Sequence, residues 1–512
     1  MSWKSKITIP YNASNDNESQ QIARTSETIA NEIYEIILSQ ELKLDFIIEE
    51  CKIDSQAYLL LEIFIRKTHL DTRQIYQVYR LAAGQLEIRN DTWDWSVLGS
   101  QVSRKTVYSL RLLRELLISQ EHGKLDIMRL LACYTNPNLP WTSEITEKIV
   151  GSVDVEDLME ELIETELKPN LLVLPKVAGK KALQGGLNPR LGYGGAKREI
   201  LEEDARRNWK SGTKVKALSV AYFIIKLAPS TFWSAGNWRV ISSFILNVGD
   251  DHDPLFKYQS VKLLALMTER LEQLDHIDVI RSSGLIDVLS ESVRKCLVYY
   301  PSTTTVNTSL LLLDASYPLL FKLFDISGTD WTEIMDVISS NIMGAISHLI
   351  GTVEASSGFP VVCFLLDQLS EIVATSIKTK ILISISRLFF MLNSIITNIT
   401  VLDNFHEGQS VLEKALYCQS TVLHQFLPIT DDQEIEELLG SYKHDLVGAW
   451  LVLAKRLANY EYDNVKLQKQ MSDNFSLLEQ LQKGNKSADY ADFLDSMKKQ
   501  VPEMSYFVNI RT

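Results

Sequence analysis

The chain is 512 residues long, 46% hydrophobic and 23% charged, which is the composition of a folded protein and not of a disordered one. Its formal charge of −13 and sequence pI near 5.3 argue against a general nucleic-acid or anionic-membrane binder, because phosphate binding draws on clustered Lys and Arg; only a local basic patch stays open. The five cysteines, Cys51, Cys133, Cys296, Cys363 and Cys418, are widely spaced with no CxxC pair, which suits a reducing compartment, cytosol, nucleus or both.

In chain order, the opening MSWKSKITIPYNASNDNESQQ turns polar directly after its lysines. It reads as no secretory signal, and residues 1–20 are expected to be disordered. From 21 to 174 helix signals dominate. SRKTVYSLRLLRELLISQ (103–120) carries apolar residues at helical spacing, and DVEDLMEELIETELK (154–168) is an acidic helix. Residues 175–212 gather Gly179, Gly185, Gly186, Gly192, Gly194 and Gly195 with two prolines, a composition that predicts a flexible loop dividing two sets of helices. The loop runs into a basic stretch, Arg206 to Lys216, and a solvated face is expected on each flank in preference to pairing across it.

Helical repeats are expected again over 213–484. KVKALSVAYFIIKLA (214–228) is apolar nearly all round, as a helix covered by neighbours on both sides would be. VIRSSGLIDVLSESVRKCL (279–297) and TKILISISRLFFMLNSIITN (379–398) come next, and strand alternation is absent. No run of about 18 predominantly apolar residues stands out, so no membrane span is expected. Near the end, Leu467, Met471, Leu478 and Leu481 are spaced as in a coiled coil that Asn474 interrupts after too few heptads, so a last repeat helix is expected, and 485–512 reads as a polar tail. The fold class predicted is all-α, an α-solenoid of degenerate HEAT- or armadillo-like repeats.

Motifs for catalysis are missing: there is no GxxxxGK[ST] loop, no GxSxG elbow and no HExxH helix. LGYGGAK (191–197) has the glycines of a phosphate loop without the strand that would aim them. The cluster NVGDDHDPLFK (247–257) offers Asp250, Asp251, His252 and Asp253, which could be metal ligands or a turn. The turn accounts for every residue. Asp253 is placed to cap the next helix, Pro254 fits its first position, and Lys257 lies one turn in, near enough to pair with an aspartate and brace the corner. No metal, cofactor or catalytic residue is expected.

Read onward, the same region resembles a family. The DDHDP turn with Lys257; Gly284, Leu285, Asp287 and Val288; Tyr299, Tyr300 and Pro301 with the Ser/Thr run to Thr303; and Ala315, Tyr317 and Pro318 together resemble the second TELO-interacting protein family. Upstream, RRNWKSG with Trp209 and Lys210 is similar to that family's WK segment. Ser260, Leu289 and Ser316 depart from its pattern, which has glycine, phenylalanine and an uninterrupted Ala-Tyr pair there.

The resemblance implies a non-catalytic scaffold of the Triple-T (TTT) cochaperone complex, binding two other α-solenoid subunits. Through them it would serve phosphatidylinositol-3-kinase-related kinases and the ninety-kilodalton heat-shock chaperone, in cytoplasm and nucleus, without nucleic acid or membrane. Arg206, Arg207, Trp209 and Lys210 are the candidate partner contacts, since Arg and aromatic residues are enriched at interface hot spots; the alternative is a loop anchor packed onto the chain's own helices. The competing readings are an armadillo- or karyopherin-like transport adaptor, which shares the fold, and a metal-dependent hydrolase using Asp251 and His252.

Overall fold

The computed structural model describes residues 27–54, 57–86, 102–119, 123–150, 158–171, 209, 213–351, 355–429, 433–459, 465–481, 496–497 and 499. The segment 1–20, the stretch 175–212 apart from Trp209, and nearly all of 485–512 lie outside these. Among the described residues there is no strand, only an isolated bridge between Pro301 and Thr304. The chain divides into two compact units, Met1–Ser282 and Ser283–Thr512.

In the first unit, α1 (Glu27–Ser39) and α2 (Leu44–Ile53) pack on α3 (Ala57–Lys67). The next helix, α4 (Thr72–Ala83), starts at a capping box: Asp71 accepts from Gln74 N at 2.8 Å, and the Gln74 side chain accepts from Asp71 N at 3.0 Å. Both α3 and α4 pack on α5 (Arg104–Ser119), which also contacts α6 (Lys124–Ala132) and α7 (Glu144–Val150). Between α3 and α5 lies a buried charge cluster. Glu62 receives Arg66 at 2.8 Å and Arg111 at 2.9 Å, and Arg66 reaches Glu115 at 3.5 Å, so two acids and two bases neutralise one another out of water.

Packing joins the two flanks of the 175–212 stretch within the first unit. A short helix α8 (Met159–Leu162) runs into a π turn, Ile163–Leu167, that packs on α9 (Ala217–Leu227). Glu166 on that turn lies 3.4 Å from Arg129 and 3.8 Å from Lys216, so the acidic and basic flanks do pair at this point. The helix α9 also packs on α6 and, beyond α10 (Ser230–Ser234) and α11 (Trp238–Gly249), on α12 (Pro254–Gln273); α13 (Ile277–Ser282) ends the unit.

The segment between α6 and α7 is not helical, yet Thr135, Asn136, Leu139, Trp141 and Thr142 are buried. Its backbone polar groups therefore need protein partners. Ser219 Oγ of α9 accepts from both Thr135 N (2.9 Å) and Asn136 N (3.0 Å), while Gln259 of α12 donates to Asn138 O at 2.7 Å. Trp141 Nε1 closes the loop on Cys133 O at 2.9 Å.

In the second unit, α14 (Leu285–Arg294) packs on α15 (Val306–Ser327). After α16 (Trp331–Asp336) a π turn, Val337–Met343, leads to α17 (Gly344–Gly351), which packs on α18 (Ala355–Ile372). The helices α19 (Ile385–Ile396), α20 (Ile399–Asp403), α21 (Phe405–His424), α22 (Gln433–Asn459) and α23 (Val465–Leu481) complete the unit. A row α15, α18, α21, α23 forms by successive packing, and α17, α19 and α22 flank it, which is the layered stacking of a helical-repeat fold within this unit. Asn474, read in the sequence as an interruption, is fully buried and donates to Leu416 O at 2.9 Å, so it ties α23 to α21.

One expectation is corrected here. Two helical runs, Trp331–Gly351 and Ser357–Asp403, are long and apolar enough to cross a membrane by length and composition. Both pack against neighbouring helices over part of their surface, where Val337, Ile342, Leu366 and Leu388 are fully buried.

Two substitutions test this packing. Ser219→Ala leaves the Thr135 and Asn136 amides without their acceptor and is expected to destabilise the first unit by about 1–3 kcal/mol per orphaned group, read from the urea midpoint. At Gly408, a Cβ would collide with the Val401 carbonyl, so Gly408→Ala is expected to cost about 1–3 kcal/mol in the second unit.

Candidate functional site

The aspartate cluster closes the corner between α11 and α12. Asp250 N returns to Leu246 O at 2.9 Å and ends α11. Asp251, 5% exposed, accepts from Asp253 N at 2.8 Å; Asp253 in turn accepts from Leu255 N at 3.0 Å, with Pro254 at the first helical position. Two of the carboxylates thus hold backbone amides, the task a turn requires. His252 is exposed at the tip. Among the described residues no group of three or more His, Cys, Asp or Glu side chains is arranged to hold a metal.

Lys257 is buried and its ammonium donates to Gly249 O at 2.7 Å, at the carbonyl end of α11. This bond braces the corner through the backbone, at a helix end where the dipole favours a cation. Ser260, standing where the family pattern has glycine, is buried and donates to Ile245 O at 2.8 Å. A small hydroxyl therefore keeps the close approach of α11 and α12 and adds a bond across it.

Trp209 is 6% exposed and rests edge-on against Phe256, ring centroids 5.7 Å apart, in a recess lined also by Asn170, Phe244, Val248 and Asp251. Of the two readings of this residue, partner contact and loop anchor, the burial of the ring favours the anchor, which ties the chain to the aspartate corner. Arg206, Arg207 and Lys210 lie outside the described residues.

The other motif residues belong to the second unit and do local work. Gly284 starts α14 at φ +68, a left-handed conformation that glycine adopts without strain. Leu285 is half-buried, Asp287 lies exposed in the first turn, and Val288 is exposed while Leu289 next to it is fully buried. Tyr299, Tyr300 and Pro301 are half-buried in the link to α15, with Tyr300 5.6 Å from the His348 ring.

On α15, Ala315 is half-buried and Tyr317 fully buried between Phe321 and Phe364. Burial pushes the Tyr317 hydroxyl above its usual range, so it stays neutral. Pro318 lies inside α15 on its exposed side, where it supplies no amide for the carbonyl one turn before it. Ser316 splits the family's Ala-Tyr pair and bonds Leu312 O at 2.7 Å.

A cleft of about 370 Å³ in the first unit, lined by Thr135, Glu147, Tyr222, Phe223 and Lys226, had no signal in the sequence. Tyr222 donates to Glu147 at 2.6 Å and Lys226 pairs with the same carboxylate, so its polar groups consume one another. Burial, with that hydrogen bond, drives the Tyr222 hydroxyl well above its usual range. Burial likewise pushes the Cys51, Cys133 and Cys418 thiols up to about 12, far from a nucleophilic thiolate at neutral pH.

The corner is expected to respond as structure. Asp253→Ala should lower stability by about 1 kcal/mol through loss of the cap, whereas His252→Ala at the exposed tip should stay within about 0.5 kcal/mol of the parent. Chemical denaturation of the variants measures both, and a reversal of their order would contradict the assignment.

A model of the Tti2 family matches residues 127–403, more than half of the chain. No curated protein matches it significantly. The matched span opens in α6, ends at α20, and holds the buried loop, the aspartate corner and the tyrosine-proline segments of α15 and of the link before it. The chain belongs to the Tti2 family.

Proposed function

We propose that this protein is the scaffold subunit of a TTT cochaperone complex. In this reading it binds two other α-solenoid subunits and, with them, supports the folding, stability and assembly of phosphatidylinositol-3-kinase-related kinases by the ninety-kilodalton heat-shock chaperone. The work belongs to the cytoplasm and nucleus, and its consequences to DNA-damage and TOR signalling and telomere maintenance.

The observation that carries the reading is the family match over residues 127–403. Physical features favour the same class. Stacked helices expose long faces suited to protein contact. The groups that looked most like chemistry, Asp251 and Asp253, are used on backbone amides.

Co-expression with the two other subunits tests the proposal. A complex holding all three chains in equal amounts through size-exclusion chromatography is expected, together with a fall in the steady-state level of the kinases when this chain is depleted. A chain that elutes alone, with kinase levels unchanged on depletion, would overturn it.

A further inference from the structure

The backbone between α18 and α19 is irregular in three successive ways. A π turn, Val373–Ile377, ends α18; Lys378 then takes φ +51; and a 3-10 stretch, Lys378–Ser384, spans 7 residues. Runs of 3-10 helix beyond about four residues are uncommon, and a left-handed lysine is strained. Such strain clusters at sites of binding.

This irregular stretch and α19 together present an exposed face of unusual composition. Lys380, Ile383, Arg387, Phe390 and Ser394 recur at intervals of three and four, and all are exposed; Ile383 is 70% and Phe390 75% exposed to solvent. On the opposite side Ile381, Ile385, Leu388 and Phe389 are buried, and Phe389 packs against Tyr442 of α22 at 5.6 Å. The apolar pair on the outer face is therefore not a share of the core.

Basic charge surrounds this pair. Lys378, Lys380 and Arg387 are exposed beside it, and the Lys380 ammonium lies 5.2 Å from the Trp331 ring. The carboxylates of α16 beyond Trp331, Glu333 and Asp336, are engaged by Arg294. In a chain of net charge −13, a local cationic strip with a phenylalanine and an isoleucine at its centre favours an acidic occupant.

We propose that the face formed by Lys378, Lys380, Ile383, Arg387 and Phe390 docks an acidic amphipathic helix of a partner protein. The partner helix sets its apolar residues on Ile383 and Phe390 and its carboxylates on Arg387 and the two lysines, the helix-on-surface mode in which a few anchors carry most of the binding. An anionic membrane is the less fitting occupant, because three cations must work against the charge of the whole chain. The inference rests on the TTT reading in one respect: the helix belongs to one of the two other subunits.

The test uses the full chain with both subunits. With Phe390 replaced by the photo-crosslinking p-benzoylphenylalanine, irradiation of the assembled complex is expected to label a subunit segment of net negative charge with helical apolar spacing. Arg387→Glu is expected to weaken assembly by about tenfold, and a Lys placed at the facing acid of the labelled segment to restore it. Ile383→Ser with Phe390→Ser should weaken it as much, with an unchanged melting temperature, since both side chains are outside the core.

Unchanged affinity in all variants, with no cross-link, would overturn the docking face while leaving the complex intact. Failure of the parent chain to join the subunits would overturn both readings. Binding of phosphatidylserine vesicles by the parent chain, lost in the Ile383→Ser, Phe390→Ser variant while assembly is unaltered, would replace the helix with a lipid surface.

Discussion

The first unit depends on one demand: a buried non-helical loop must have its backbone hydrogen bonds satisfied. Between α6 and α7 the chain leaves the helical pattern, where each amide finds its own carbonyl, and passes through the interior with Thr135, Asn136 and Leu139 out of water. An orphaned buried amide costs more than most single contacts supply. Ser219 and Gln259 remove that cost from two different helices, so α6, α9 and α12 are fixed to one another by a loop that belongs to none of them. Ser219 can serve two amides only because no larger side chain stands at its position on a helix otherwise packed with Leu, Val, Phe and Ile.

The same logic explains the other buried polar groups. Glu62, Arg66, Arg111 and Glu115 give little net stability as a set, because desolvation offsets most of their attraction. Their geometry still discriminates. Shifting α3 against α5 by one turn would bury unmatched charges, so the pairing penalises wrong alignments that apolar side chains alone would tolerate. Asn474 does the same for α23 against α21 with a single hydrogen bond. In a stack of similar helices, where apolar faces are nearly interchangeable, register has to come from such groups.

What could be read from the sequence was what is local. The corner at 250–257 was legible because a cap, a proline and a lysine act within one turn of each other, and the glycine at 284 because a left-handed start of α14 needs no distant partner. The all-helical class came from periodicity. Ser219, Gln259 and Asn474 were illegible for the opposite reason: their partners lie 84, 121 and 58 residues away in the chain, and a single polar residue on an apolar helix carries no mark of its partner. Trp209 was open between a surface hot spot and an anchor, because the recess formed by Phe244, Val248 and Phe256 that receives it exists only after α11 and α12 have packed.

Function in a helical stack is then a question of which faces the packing leaves over. Core residues fix register, and the aspartate corner fixes the angle at which one pair of helices meets. The residues left for recognition are those whose exposure the fold does not require. On α19 a core-facing row and an outer row are both apolar in part, yet only the inner one is covered. A helix with one row buried gains nothing in stability from an exposed phenylalanine on the other. Its presence beside Arg387, on a backbone distorted immediately upstream, sets this face apart from the charged and polar positions that a purely structural helix would show there.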